Sequence, residues 1–179
     1  MPKYKKEINR IVNKEDAENM INNVSRLRDK FIIAIHYLTG ARPSEIIELK
    51  KKDILSTRGY ILIRLSTKKL GKSNKFTLEK RVLEINKSAP FIDIILRYLD
   101  RFNDEDFLIN VSYTRVWQII DKASNGEMTP YNFRHSRLTK LARLGASVDE
   151  LMYWKGAKSI KSVAPYLRAK PIGRKFSIE

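Results

Sequence analysis

The stretch Thr39-Gly-Ala-Arg-Pro-Ser-Glu-Ile-Ile-Glu-Leu49 reads as a helix start with one residue out of place. Thr39 or Ser44 can cap, Pro43 suits the first turn, and Glu45 complements the positive end of the helix. Arg42 opposes that end, at a cost of up to roughly 1 kcal/mol. A phosphate group would explain it, because backbone amides and a guanidinium could share one anion. The residues around this stretch therefore have to be read for phosphate chemistry as well as for structure.

Composition agrees with a polyanionic partner. The 179 residues hold 36 Lys and Arg against 20 Asp and Glu, a formal net charge of +16. With 42% hydrophobic residues the chain can bury a core, so the excess charge belongs to a folded domain and points first to nucleic acid. There is no apolar run of membrane-spanning length, no secretory signal and no lipidation pattern, which predicts a soluble cytoplasmic protein without a membrane partner. The absence of cysteine excludes disulfides, thiol nucleophiles and Cys-ligated zinc. Only His36 and His135 supply imidazoles, with no carboxylate cluster beside them, and neither GxxxxGK[ST] nor GxGxxG occurs. No metal and no other cofactor is expected.

Periodicity predicts a mostly helical α+β chain. Residues 1–12 read as a basic arm or linker and 13–179 as one domain. Asn13 followed by Asp16 marks the start of a short helix to about Asn23. Arg26–Leu38, apolar on nearly all sides, predicts a buried helix stopped by Gly40. A third helix is expected from Pro43 or Ser44 to about Lys51. Two β-rich runs, Tyr60–Ser66 and Phe76–Ile85, flank the turn LGKSN and predict a hairpin with a basic tip. Ile92, Ile95, Leu96 and Leu99 mark an amphipathic helix, and Asp106–Asn110 a short third strand. Further helices are expected after Ser112, from Pro130 to Gly145, from Val148 to Gly156, and after Ser162.

The candidate chemistry lies in Arg42, Arg134, the hairpin lysines and Tyr166. Taken singly, a basic residue is a solvated charge and a tyrosine is half-buried packing. Together they match metal-free phosphodiester transfer. Two arginines can hold the non-bridging oxygens, a lysine can protonate a leaving alkoxide, and a tyrosine hydroxyl can attack and hold the phosphoryl group.

Three segments then carry a resemblance. TGARPSEIIELKKKDI, TPYNFRHSRLTKLARLG and SIKSVAPYLR, separated by roughly 90 and roughly 30 residues, resemble the two arginine segments and the nucleophile segment of tyrosine recombinases, the phage integrase and Xer family. The likeness covers nearly the whole chain as that family's C-terminal catalytic domain. It implies the DNA breaking-rejoining fold, double-stranded DNA as partner with self-association on it, and strand cleavage and rejoining in recombination or integration. Arg42 and Arg134 would clamp the scissile phosphate, and Tyr166 would form a 3′-phosphotyrosine. Lys68, with Lys72 as alternative, would be the general acid, and Glu45 would support Arg42.

Two positions depart from the pattern. Tyr131 stands where the family has a His three residues before the second arginine, a YxxR arrangement resembling integrases of archaeal plasmids and viruses. The family's later His or Trp aligns near Ala157, with Trp154 close by as a source of an indole N–H. His135 is read as structural. The family's N-terminal core-binding domain has no counterpart, which implies a fragment, a gene remnant or a minimal recombinase. A different class of reading also stands: LTKLARLGASVDELMYW as a helix-turn-helix in a non-catalytic DNA-binding protein or inactive integrase remnant.

Overall fold

The computed structural model describes residues 10–70 and 76–168. Helix α1 (Lys14–Asn22) begins with a capping box in which Asn13 accepts from the Asp16 amide at 2.8 Å and Asp16 from the Asn13 amide at 2.9 Å. Helix α2 (Leu27–Thr39) is the expected buried rod. Phe31, Ile32, Ile33 and Ile35 are fully enclosed, and Phe31 stacks on Tyr98 with ring centroids 4.5 Å apart. Gly40 stops the helix in the left-handed region at φ 61°.

The next turn differs from expectation. Helix α3 is only Pro43–Ile46, because the following backbone pairs elsewhere. Leu49 accepts from the Leu108 amide, Lys50 bridges to Phe107, and Lys51 and Lys52 donate to Asp106 and Asp104. Neither Thr39 nor Ser44 caps it: Arg42 occupies the N-cap position. The Thr39 hydroxyl instead donates to the Ile35 carbonyl at 2.6 Å and accepts from the Ala41 amide.

The sheet is antiparallel in the order β1-β2-β3, with β1 Ile54–Ser56, β2 Tyr60–Leu70 and β3 Phe76–Asn86. The two paired strands are as expected, while residues 71–75 of the basic tip lie outside the described residues; the third strand is β1 and not Asp106–Asn110, whose only bridge among the described residues is that at Phe107. Ile61, Ile63, Leu65, Leu83 and Ile85 form its buried face. Arg81 falls on that same apolar face, opposite Leu65.

Helices α4 (Ile92–Leu99), α5 (Tyr113–Ala123) and α6 (Pro130–Arg143) follow as predicted, with Ser112 accepting from the Arg115 amide to cap α5. Helix α7 (Val148–Lys155) opens with a Ser147/Glu150 capping box and ends at Gly156, φ 61°. A 3-10 turn (Ile160–Ser162) leads into the single-turn α8 (Ala164–Leu167). Val163, not Ser162, holds the N-cap position of α8, because the Ser162 hydroxyl donates to the Ser159 carbonyl and closes the preceding turn. Pro165 still lies in the first turn, where its missing N–H costs little.

The main core gathers around α2. A smaller cluster of Leu138, Ala142, Leu151, Val163 and Tyr166 joins α6, α7 and α8. Arg10–Val12 pack on α6, where the Val12 amide donates to the Ser136 hydroxyl at 2.7 Å. Among the described residues, no helix is long and apolar enough to cross a membrane.

Two consequences are measurable. A Cβ on Gly40 would sit 2.9 Å from Arg137 Cβ and 3.1 Å from Arg134 Cα, in addition to the positive φ. Gly40→Ala is expected to cost at least about 2 kcal/mol in urea unfolding. His36 is wholly buried; its Nδ1–H donates to the Ile32 carbonyl at 2.7 Å, while its Nε2 has no partner among the described residues. Burial pushes its pKa down to about 4. The unfolded chain, with an ordinary histidine near 6.5, binds the proton first. Stability is therefore full above pH 6.5 and falls by on the order of 3 kcal/mol as the pH drops to 4. In His36→Leu that part of the acid slope is expected to disappear.

Candidate active site

The loop before α3 is shaped by donors from distant helices. Trp154 Nε1 donates to the Thr39 carbonyl at 2.8 Å and Arg134 Nη1 to the Gly40 carbonyl at 3.0 Å. Two residues on, the Arg42 amide donates to Glu45 Oε2 at 2.8 Å and its Nη1 to Oε1 at 2.9 Å. The Arg42 side chain keeps 38% of its exposure, whereas Glu45 is 2% exposed.

Glu45 serves a second arginine. Arg81, 5% exposed, reaches from β3 with Nη1 2.9 Å from Oε1 and Nη2 2.9 Å from Oε2, a bidentate fork. Its Nε donates to the Trp154 carbonyl at 3.0 Å. A Cβ on Gly156 would lie 2.8 Å from Arg81 Nη1, so glycine makes room for the guanidinium as well as stopping α7. Arg81 thus fastens the hairpin to α3 and α7. The sequence reading missed it, although the alternation of Arg81-Val-Leu-Glu-Ile85 already puts Arg81 on the apolar face.

The arginine and tyrosine segments come together at the C-terminal side of this loop. Arg134 is buried on α6 and donates from Nη2 to the Lys155 carbonyl. Burial holds its pKa at about 10, with Arg42 lowering it further and Glu45 opposing, so it stays charged at neutral pH. Tyr166 is 3% exposed. Burial pushes its phenol up to about 12, neighbouring Tyr131 adds to the rise through its charge and a hydrogen bond, and Arg134 pulls it down. Tyr131 itself is 51% exposed. His135, one turn after Tyr131 on the same face, puts its ring 5.4 Å from that of Tyr166. Burial and Lys155 hold His135 below the usual histidine range.

Lys155 is a further cation that the sequence reading did not single out. Its Nζ lies 5.2 Å from the Tyr166 ring centroid and donates to the Ser162 carbonyl. Burial lowers its pKa, and Arg134 and Arg42 lower it further. Arg42 and Arg81 pair with Glu45, Arg134 feels its charge, and Lys155 adds a further positive charge beside Arg134 and Arg42.

The other predicted residues are placed differently. The Trp154 indole N–H is engaged with Thr39, and its ring lies 4.8 Å beneath the Arg137 guanidinium. Lys68 sits on β2 opposite Leu78, but its side chain, like Lys72 altogether, lies outside the described residues. In the segment read as helix-turn-helix, α7 is held by the Arg81 and Arg134 bonds to its last carbonyls and by Tyr153, whose hydroxyl pairs with the backbone of Val82. Among the described residues there is no group of three or more His, Asp or Glu placed to hold a metal ion.

The model of the phage integrase family matches residues 4–171, and the chain belongs to that family. It is similar to tyrosine recombinase XerA of Thermococcus kodakarensis, 26% identical over 182 residues that cover 93% of this chain and 61% of the relative. The chain thus spans about three fifths of the length of that relative. Its fold resembles XerH site-specific recombinase bound to difH substrate (TM-score 0.65, 18% identity, 88% of this chain and 50% of that one). It also resembles the catalytic domain of bacteriophage HP1 integrase (TM-score 0.62, 18% identity, 90% of this chain and 88% of that one). The mostly helical architecture with a small antiparallel sheet is that of a tyrosine recombinase catalytic domain.

The Glu45–Arg81 pair gives a direct test. Glu45→Ala leaves the Arg81 charge buried without its counter-ion and is expected to cost about 3–5 kcal/mol. Replacing both partners, as Glu45→Leu with Arg81→Met, is expected to unfold at higher denaturant than Glu45→Ala alone.

Proposed function

We propose that this chain is the catalytic part of an enzyme that breaks and rejoins double-stranded DNA through a 3′-phosphotyrosine, without a metal ion. The observation that carries this reading is the convergence of Arg42, Arg134 and Tyr166 from three separate segments onto one basic site. A pentavalent phosphorane carries extra negative charge, and fixed cations in a partly buried site stabilise it more than they stabilise the resting diester. The similarly folded Tn1549 transposon integrase in complex with transposon right end DNA supports DNA as the partner.

In this mechanism Arg42 and Arg134 hold the non-bridging oxygens. The Tyr166 oxygen bonds to phosphorus and gives up its proton to solvent, and the bond to the 5′-oxygen breaks. Lys68 or Lys72 hands a proton to that oxygen. The phosphodiester energy is kept in the tyrosyl ester, so rejoining by a 5′-hydroxyl needs no nucleotide cofactor. Tyr131, in the YxxR arrangement, supplies a neutral donor where an imidazole would otherwise stand. Arg81 and Glu45 keep the hairpin and Arg42 in register.

A nicked suicide duplex tests the reading. The wild type is expected to form a denaturation-resistant protein–DNA adduct that maps to Tyr166, and Tyr166→Phe to bind DNA equally well without one. Arg42→Ala is expected to lower the rate of adduct formation about 100- to 1000-fold. DNA binding with no adduct in the wild type would assign the chain to the non-catalytic binding class instead.

A further inference from the structure

Lys155 is a cation that the cleavage scheme leaves unused. Its main-chain carbonyl accepts from the guanidinium of Arg134, which anchors the residue to the phosphate clamp. Its ammonium stands 5.2 Å from the Tyr166 ring centroid. No carboxylate among the described residues pairs with it, and its charged neighbours, Arg134 and Arg42, are both positive. An ammonium has three N–H donors, and the Ser162 carbonyl takes one. Holding Ser162 requires only a neutral donor. A charge added beside two arginines and partly desolvated is unfavourable until an anion arrives.

We propose that Lys155 is a further catalytic residue of strand cleavage, whose ammonium donates to a non-bridging oxygen of the phosphodiester held by Arg42 and Arg134. This rests on the phosphotyrosine reading above. As the bond from Tyr166 to phosphorus forms and the bond to the 5′-oxygen breaks, Lys155 keeps its proton and stabilises charge on the phosphoryl oxygens. The phenol proton passes to solvent, and the leaving oxygen receives its proton from Lys68 or Lys72.

The test compares suicide duplexes with an ordinary phosphate or an uncharged methylphosphonate at the scissile position. A methylphosphonate carries one negative charge less and depends less on each cation. Lys155→Met keeps the apolar stem, and is expected to form adduct about 100-fold more slowly than wild type on phosphate but within about 5-fold of it on methylphosphonate. Lys155→Gln keeps a donor for Ser162 without the charge and is expected to behave as Lys155→Met does, which covers the case where the methionine variant folds poorly. Lys161→Met removes the same charge from an exposed neighbour and is expected to stay within about 3-fold of wild type on both substrates. Equal slowing of Lys155→Met on the two substrates would mean that Lys155 only positions α8, and would overturn the proposal. Wild-type rates on phosphate in Lys155→Gln would overturn it too. If wild-type protein forms no adduct on either substrate, the phosphotyrosine reading fails and this one with it.

Discussion

The Glu45 carboxylate is the counter-ion around which the basic end of this molecule is assembled. Two arginines from elements far apart in sequence share it, and both of its oxygens are satisfied within 3 Å. Removing two ions from water costs several kcal/mol each, so such a pair survives only where geometry and extra hydrogen bonds offset the loss. Here the Arg42 amide and the Trp154 carbonyl supply those extra bonds. One carboxylate thereby ties α3, β3 and α7 together, and the position of the hairpin relative to Arg42 follows from a single buried cluster.

Glu45 does not neutralise its surroundings. Arg134 and Lys155 add positive charge, and both are pulled down in pKa by burial and by the nearby arginines. The folding energy of the larger core holds these like charges close together. A field of this kind is fixed in advance and needs no reorganisation when negative charge arrives. The tyrosine inside this field is protonated at rest, since burial outweighs the pull of Arg134.

Much of the fold was legible because its signals are local. The Asn13/Asp16 box, the glycine stops at 40 and 156, the apolar α2 and the amphipathic α4 each need only a few neighbouring residues. The errors occur where a distant partner decides. Helix α3 ends early because Leu49–Lys52 bond to residues 104–108, and the third strand is Ile54–Ser56 because it finds β2. In the same way the sequence suggested Arg42, Arg134 and Tyr166 as candidates through their segments, but not Arg81 or Lys155. Alternation puts Arg81 on the apolar face, but its partner Glu45, like the partners of Lys155, lies on another element and is not visible in the local pattern.

The segment that carries Tyr166 has a small apolar anchorage beside its polar contacts to Lys155, His135 and Tyr131. Its helix is a single turn, and Val163 and Tyr166 are its only members of the smaller core cluster. Two buried side chains correspond to roughly 3–6 kcal/mol, less the entropy regained on release. Lifting this segment away is thus far cheaper than unfolding α2, whose side chains fill the main core. The described residues therefore fall into two tiers of stability, the scaffold around α2 and the single turn of α8, whose local opening costs less. The amides of Val163, Ala164, Tyr166 and Leu167 would exchange with solvent through that partial opening long before those of residues 31–35.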